Sequence, residues 1–274
     1  MTDRTYLVTG ATDGIGRHTA LTLARRGGRV LVHGRTRQKA EATRDALRAE
    51  AKTDHIEAVA GDLSSLEQVR ALARDAAALA PRLDVLINNA GVFAKERQLS
   101  ADGFELTFAV NHLAPFLLTH MLLPQLRASD EPRVVNVSSV AHTRGAIDWD
   151  DLNMERGFGG YRAYAASKLM NVLFSFDLAR RLASPFVAVN ALHPGVIGTK
   201  LLKEGFGMGG GSLESGSATS LRLATDPALA RTTGRYFSDE REAAASKSAH
   251  DRAAQERLYT VSAGLTGVEP LPVG

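Results

Sequence analysis

The sequence contains no cysteine. That absence excludes disulfides, thiol catalysis and thiolate metal ligands, and it fits a reducing compartment. Aromatic residues are few, at 6%, with a single tryptophan. No run approaches the roughly eighteen apolar residues needed to cross a bilayer. Polar Thr2, Asp3, Arg4 and Thr5 lead directly into Tyr6-Leu7-Val8, with neither a targeting segment nor a membrane anchor to be read there. The expectation from these absences is a soluble, cytoplasmic protein. Charge of one sign is also lacking: the formal net charge is +3. No basic block and no basic–aromatic interleaving occurs, so no nucleic-acid partner is expected.

What is present is an ordinary globular composition, 44% hydrophobic and 23% charged over 274 residues. Short apolar runs alternate with stretches of helical period. Strands are expected at 4–9, 29–33, 56–60, 83–87, 133–137 and 186–191, with a seventh near 232–237. Helices are expected from residue 15 to the Gly27-Gly28 stop, at 38–51, up to Leu79 behind a Ser64 or Ser65 cap, at 161–183 and at 246–261. A longer one at 104–127 should kink at Pro115. This alternation implies an α/β fold, a doubly wound parallel sheet of about seven strands with helices on both faces. No linker divides the chain, so residues 1–274 are expected to form a single domain. Two stretches interrupt the pattern, an insert at 143–160 and a segment at 205–216 with six glycines. The second follows a strand's carboxyl end. It is expected to be a mobile substrate lid over 201–217, closing through Phe206, Met208 and Leu213.

In such sheets ligands bind beyond the carboxyl ends of the strands, and the chemistry-bearing residues fall there. Gly10-Ala11-Thr12-Asp13-Gly14-Ile15-Gly16 joins the first strand to the first helix. Its glycines permit a tight turn and close approach of a pyrophosphate, and the helix N-terminus supplies free N–H groups. The second strand ends at Gly34-Arg35 rather than at an acid. An acid would bind the ribose hydroxyls of NAD, whereas Arg35, with Arg17 and Arg37 at hand, can meet a 2′-phosphate. Asp13 opposes that assignment by its charge. Asp62, followed by Leu63, ends the third strand as an acceptor for an adenine amino group or as a helix cap. Tyr164 and Lys168 are four apart on one helix and share a face. An ammonium near a phenol favours the phenolate, so the pair is a candidate acid/base unit.

Together and in order, Thr9-Gly10-x-x-x-Gly14-Ile15-Gly16, Asn88-Asn89-Ala90-Gly91, Asn111, Val137-Ser138-Ser139, Tyr164-x-x-x-Lys168 and Pro194-Gly195 resemble the short-chain dehydrogenase/reductase family. The closer resemblance is to its retinol dehydrogenase-like branch, carried by 110–119, 136–142, 167–174 and 234–239. The resemblance implies a Rossmann-type fold and an NAD(P)-dependent enzyme acting on CH–OH or C=O groups, with NADP(H) favoured by Arg35. It implies Tyr164 as general acid or base and Lys168 as ribose ligand. Ser139, the second serine of its pair, would bind the substrate oxygen, and Asn111 would link Lys168 to solvent through a water. Asn89, Ala90 and Gly91 would line the adenosine side. Val196 and Thr199, after Pro194-Gly195, would hold the carboxamide. The partner implied is a small apolar carbonyl or alcohol substrate.

Other residues are expected to be structural. His112, His142 and His193 match no ligand spacing, so no metal is expected. Trp149, Phe158 and Tyr161 either line the substrate pocket or pin the insert. The helices at 104–127 and 161–183 are apolar on more than one face, which suggests a homodimer or homotetramer. Two other functions stay open. A non-catalytic NADP(H)-binding regulatory protein would be expected to have lost part of the Asn111, Ser139, Tyr164, Lys168 set. An epimerase or dehydratase on a nucleotide-linked sugar would need more chain than follows Thr199.

Overall fold

The computed structural model describes residues 4–183, 186–207 and 209–273. Seven strands run parallel in one sheet: Thr5–Val8 (β1), Arg29–Gly34 (β2), Ile56–Ala60 (β3), Val85–Asn88 (β4), Arg133–Val137 (β5), Ala188–His193 (β6) and Tyr236–Ser238 (β7). A short antiparallel edge, Arg241–Glu242 (β8), completes the order β3-β2-β1-β4-β5-β6-β7-β8. That last strand had no signal in the sequence. It exists because Asp239 and Glu240 both adopt positive φ, 49° and 61°, and fold the chain back.

The helices are Gly14–Arg25 (α1), Arg37–Ala51 (α2), Leu66–Leu79 (α3), Leu106–Phe108 (α4), Ala114–Met121 (α5), Leu123–Arg127 (α6), Gly160–Arg181 (α7), Lys200–Phe206 (α8), Leu213–Thr225 (α9) and Arg252–Thr266 (α10). Alternate strand residues feed two cores. Tyr6, Val8, Val30, Val32, Val85 and Ile87 pack with residues of α1, α2 and α9. Leu7, Leu31, Leu86, Val134 and Val189 pack with α3, α5, α7 and α10. The strand order reverses at β1 and β4, which opens a crevice at their carboxyl ends. Ser65 caps α3 by accepting the Gln68 N–H. Among the described residues no helix is long and apolar enough to cross a membrane.

Two expectations change. The stretch 104–127 is not one kinked helix. A π-helical turn at Ala109–Leu113 precedes α5, and a break at Leu122 precedes α6. Pro115 lacks an N–H for the Asn111 carbonyl and its ring crowds that oxygen, so the turn before it widens.

The apolar faces that suggested an assembly are covered within the chain. Residues 163–179 of α7 are all buried, and Phe116, Leu117 and Leu122 are inaccessible. Leu258, Tyr259 and Ala263 of α10 supply part of the cover, with Ile147, Trp149 and Leu152 of the insert. The argument from those faces to a homodimer or homotetramer therefore loses its basis.

The glycine-rich segment runs partly into two helices. Gly205 belongs to α8 and Gly216 to α9. Gly209–Gly211 is laid against the chain after β6. Gly211 N–H donates to the Val196 carbonyl at 2.8 Å, and Gly198 N–H to the Gly211 carbonyl at 3.0 Å. Of the residues expected to close a lid, Met208 and the side chain of Phe206 lie outside the described residues, and Leu213 opens α9.

Candidate active site

The glycine turn wraps the N-terminus of α1. Gly10 and Gly14 sit at φ +64° and +56°, where a side chain would be strained. A Cβ at Gly16 would fall 2.3 Å from the Gly10 carbonyl oxygen. Thr9 and Asn89 hold this turn to β4: Thr9 Oγ1 accepts the Asn89 and Ala90 N–H groups, and Asn89 Nδ2 donates to the Thr9 carbonyl at 2.8 Å. Asn89 is thus engaged with the turn itself. Asp13 caps α1, its carboxylate accepting the Gly14 N–H at 2.7 Å. Part of its charge is thereby spent on the helix end. Thr12 packs on Gly34, where a Cβ would lie 2.8 Å from the threonine methyl, so glycine there serves close packing. Ile15 lies against Gly216 of α9, and Thr199 caps α8 with its methyl turned to Gly14. Pro194 and Gly195 follow β6, with Gly195 at φ +92° and Val196 half exposed.

Arg35 is exposed beyond β2 and makes no ion pair among the described residues. Its expected helpers are engaged elsewhere. Arg17 pairs with Glu50, and Arg37 lies 3.7 Å from Glu41 and 3.8 Å from Asp75. Asp62 Oδ1 accepts from both the N–H and the hydroxyl of Ser64, so it builds the turn before α3, and Leu63 beside it is buried.

Four side chains from three elements converge past β4 and β5. Ser138 is buried and donates to the Lys168 carbonyl at 2.7 Å, which commits it to α7. Ser139 instead stays beside the Tyr164 side chain, near enough to pull its phenol down, and its hydroxyl accepts the Ala141 N–H at 3.2 Å. Lys168 is fully enclosed. Its Nζ donates to the Val137 carbonyl at 3.0 Å and lies 5.5 Å from the Tyr164 ring centre. Asn111, in the π turn, accepts the Val92 N–H and donates to the Val92 carbonyl and to Ser167 Oγ. Gly91 leaves the space between Asn111 and Lys168; a Cβ there would be 3.4 Å from Nζ.

Burial controls the ionisation of this set. It pushes the Tyr164 phenol up to about 12, with the Ser139 hydroxyl pulling the other way. It brings the Lys168 ammonium down to about 8. The expected lowering of the phenol by Lys168 is not what this geometry shows, because Nζ is turned to the Val137 carbonyl. The set is a buried proton donor beside a hydroxyl, with a cation 5.5 Å from the centre of the phenol ring.

Two residues at this site escaped the sequence reading. Phe93 stacks obliquely on Tyr164, ring centres 5.7 Å apart, and Leu201 of α8 joins the same cluster with Ala141. Gly205 rests on the Phe93 ring. Their only signal was position, two residues past Asn89-Ala90-Gly91 and two past Thr199. The insert aromatics divide. Trp149 is pinned under the Arg257 guanidinium at 4.8 Å, and Phe158 packs on Met154, Ala163 and Ala166. Tyr161 stays 44% exposed, close enough to act on Tyr164.

The histidines are held by the fold. Burial brings His112 down to about 3, and its Nε2 lies 2.7 Å from Ser262 Oγ. His142 donates from Nδ1 to the Ser139 carbonyl and accepts the Ser246 N–H at Nε2. His193 ends β6 opposite Ser238 of β7. Among the described residues no group of histidine and carboxylate side chains could hold a metal ion.

Residues 4–207 match the short chain dehydrogenase family. Human retinol dehydrogenase 13 is 41% identical, the alignment covering 97% of this chain and 85% of that protein. Human retinol dehydrogenase 14 is 39% identical over 98% and 88% of the two chains. Among solved structures, an uncharacterised protein from Mycobacterium paratuberculosis superposes with a TM-score of 0.82 at 34% identity, over 98% of this chain and 95% of its own. A short chain dehydrogenase from Escherichia coli CFT073 complexed with NADPH gives 0.73 at 29% identity, over 88% and 98%.

Proposed function

Because the chain belongs to the short-chain dehydrogenase/reductase family, we propose that it is an NADP(H)-dependent oxidoreductase for medium-sized, apolar carbonyls or alcohols. Residues 1–274 would act as one dinucleotide-binding and catalytic unit. The observation that carries the reading is the convergence of Ser139 with buried Tyr164, Lys168 and Asn111 past the carboxyl ends of β4 and β5.

The residues present suit a nicotinamide dinucleotide. Gly10, Gly14 and Gly16 form a turn at the N-terminus of α1 so tight that a Cβ at Gly16 would strike the Gly10 carbonyl oxygen. Thr12, Asp13 and Ile15 complete that turn. Asp62, Leu63, Asn89, Ala90 and Gly91 would flank the adenosine; Pro194, Gly195, Val196 and Thr199 would flank the nicotinamide. Arg35 would meet a 2′-phosphate. NADPH in the Escherichia coli neighbour supports that choice. The nicotinamide, when bound, supplies or accepts the hydride.

The chain's own residues manage the proton and the oxygen. In reduction, the Tyr164 phenol donates its proton to the carbonyl oxygen, and the Ser139 hydroxyl hydrogen-bonds the same atom as charge grows on it. In oxidation the phenolate takes the alcohol proton. Lys168 would hold the ribose, and Asn111 would link Lys168 to solvent through a water and so return protons. An apolar substrate follows from the walls: Phe93, Ala141 and Leu201 surround Tyr164, and Val140 and Val196 stay exposed at the rim. Retinol, in the names of the relatives, is an alcohol of that class.

Tyr164→Phe tests the reading in an NADPH-consumption screen over aldehydes, ketones and quinones. Turnover on the best substrate should fall by about 100-fold or more, with NADPH affinity little changed. Near-native kcat in that variant would refute it.

A further inference from the structure

His33, near the end of β2, is 3% exposed and lies outside every role assigned above. Its ring touches two turns of the dinucleotide crevice. Nδ1 is 3.1 Å from the Gly10 nitrogen, and Nε2 is 2.9 Å from the Gly61 carbonyl oxygen. A carbonyl only accepts and a backbone N–H only donates. The proton therefore sits on Nε2, Nδ1 is bare, and the ring is a neutral single tautomer. Burial, which lowers the imidazole's affinity for a proton, is consistent with that form.

The backbone extends the same joint. The His33 carbonyl accepts the Ala11 N–H at 3.0 Å, and the next residue, Gly34, accepts the Gly61 N–H at 3.2 Å. One residue thus ties together Gly10-Ala11, which begins the glycine turn, Gly61-Asp62-Leu63 after β3, and its own successors Gly34-Arg35. These segments come from three adjacent strands and share no other side-chain bridge among the described hydrogen bonds. Gly10 has no slack on its other side, where a Cβ would be 2.9 Å from Ala90 Cα. Past the ends of the strand ladder, one imidazole spans the gap between the glycine turn and the turn after β3.

We propose that His33 is a positioning residue for the dinucleotide. Its two ring nitrogens hold the glycine turn and the Gly61-Asp62-Leu63 turn at the separation the cofactor needs, so it governs cofactor affinity more than the hydride step. The proposal rests on the reading that these turns bind the nicotinamide dinucleotide.

Three variants of the full chain test it. Asparagine places an oxygen as many bonds from Cα as Nδ1, so His33→Asn keeps an acceptor for Gly10 alone. Glutamine places a nitrogen as many bonds out as Nε2, so His33→Gln keeps a donor for Gly61 alone. His33→Leu keeps neither. NADPH affinity is read by titration, kcat at saturating NADPH by steady-state kinetics, and Tm by melting. The leucine variant should raise Kd by about tenfold or more, while kcat at saturation falls far less. The asparagine and glutamine variants should each recover part of the affinity. A leucine variant that binds NADPH within about twofold of the unmodified chain overturns the proposal, as does affinity that tracks Tm with no rescue by either amide. If the leucine variant does not fold, the two amides carry the comparison. Failure of the unmodified chain to bind either NADPH or NADH would remove the cofactor reading, and this proposal with it.

Discussion

Arg35→Ala should separate the two nicotinamide cofactors. The guanidinium stands exposed just past β2, and none of the described carboxylates pairs with it. Arg17 is held by Glu50, and Arg37 lies near Glu41 and Asp75. Arg35 is therefore the cation free to meet a 2′-phosphate at that corner. A hydrogen bond to a charged group contributes about 1.5–3 kcal/mol. Exposure to solvent and salt argues for the lower end, because water screens the pair. About 1.5 kcal/mol corresponds to roughly a tenfold rise in the NADPH Kd. NADH has no 2′-phosphate, so its Kd should move by less than about twofold. Calorimetric titration of both cofactors at low and high salt is the assay. The wild-type preference for NADPH should shrink as salt rises, and the variant's should be smaller and flatter. Equal losses for the two cofactors, or none for NADPH, would show that Arg35 does not read the phosphate.

Two further outcomes follow from the site. Burial sets Lys168 at about 8, below its usual value near 10.4. Between those values the unfolded chain carries a proton that the folded one does not, so stability rises with pH from about 8, by up to roughly 3 kcal/mol. Melting in buffers from about pH 8 to 9.5, without added cofactor, should show that rise in the native chain and a weaker one in Lys168→Met; parallel curves would refute it. Gly210→Ala would put a Cβ 2.5 Å from the Val196 carbonyl oxygen. It should lift 209–211 off the chain after β6 and raise KM for substrate by several-fold with little change in Tm, whereas an unchanged KM would show that segment to be a surface insertion.

The sheet was legible because its strands alternate and its turns carry glycine or serine. Tyr6-Leu7-Val8 and Val30-Leu31-Val32 are short apolar runs bounded by turn residues, and the structure divides each between two cores, as a strand buried on both faces requires. The residues at strand ends were legible as well, since glycine at 10, 14 and 16 and the Tyr164–Lys168 spacing are local. What failed was whatever depends on a distant part of the chain. The second apolar face of α7 looked surplus until α10 covered it. Its stripe of Leu258, Tyr259 and Ala263 is diluted by charged neighbours and reads as polar. Likewise the spacing of Tyr164 and Lys168 could not reveal that Nζ turns to the Val137 carbonyl, since that carbonyl belongs to β5.

The glycines of the segment at 205–216 have a second use besides backbone freedom. Six glycines in twelve residues suggested backbone freedom, and hence a lid that orders only on substrate. The structure uses several of them for contact. Gly210 and Gly211 lie on the chain at 196–198, Gly205 on the Phe93 ring, and Gly216 on Ile197, where a Cβ would be 2.7 Å from Cγ1. In each case the missing side chain permits two backbones, or a backbone and a neighbouring side chain, to touch. The same residue serves the opposite need at Gly10 and Gly14, where positive φ is required. A sequence does not distinguish freedom from contact, because both select the residue with no Cβ. α8, whose Leu201 and Gly205 face the Tyr164–Phe93 cluster, and the 209–211 segment laid on the chain after β6 would therefore bound substrate access together.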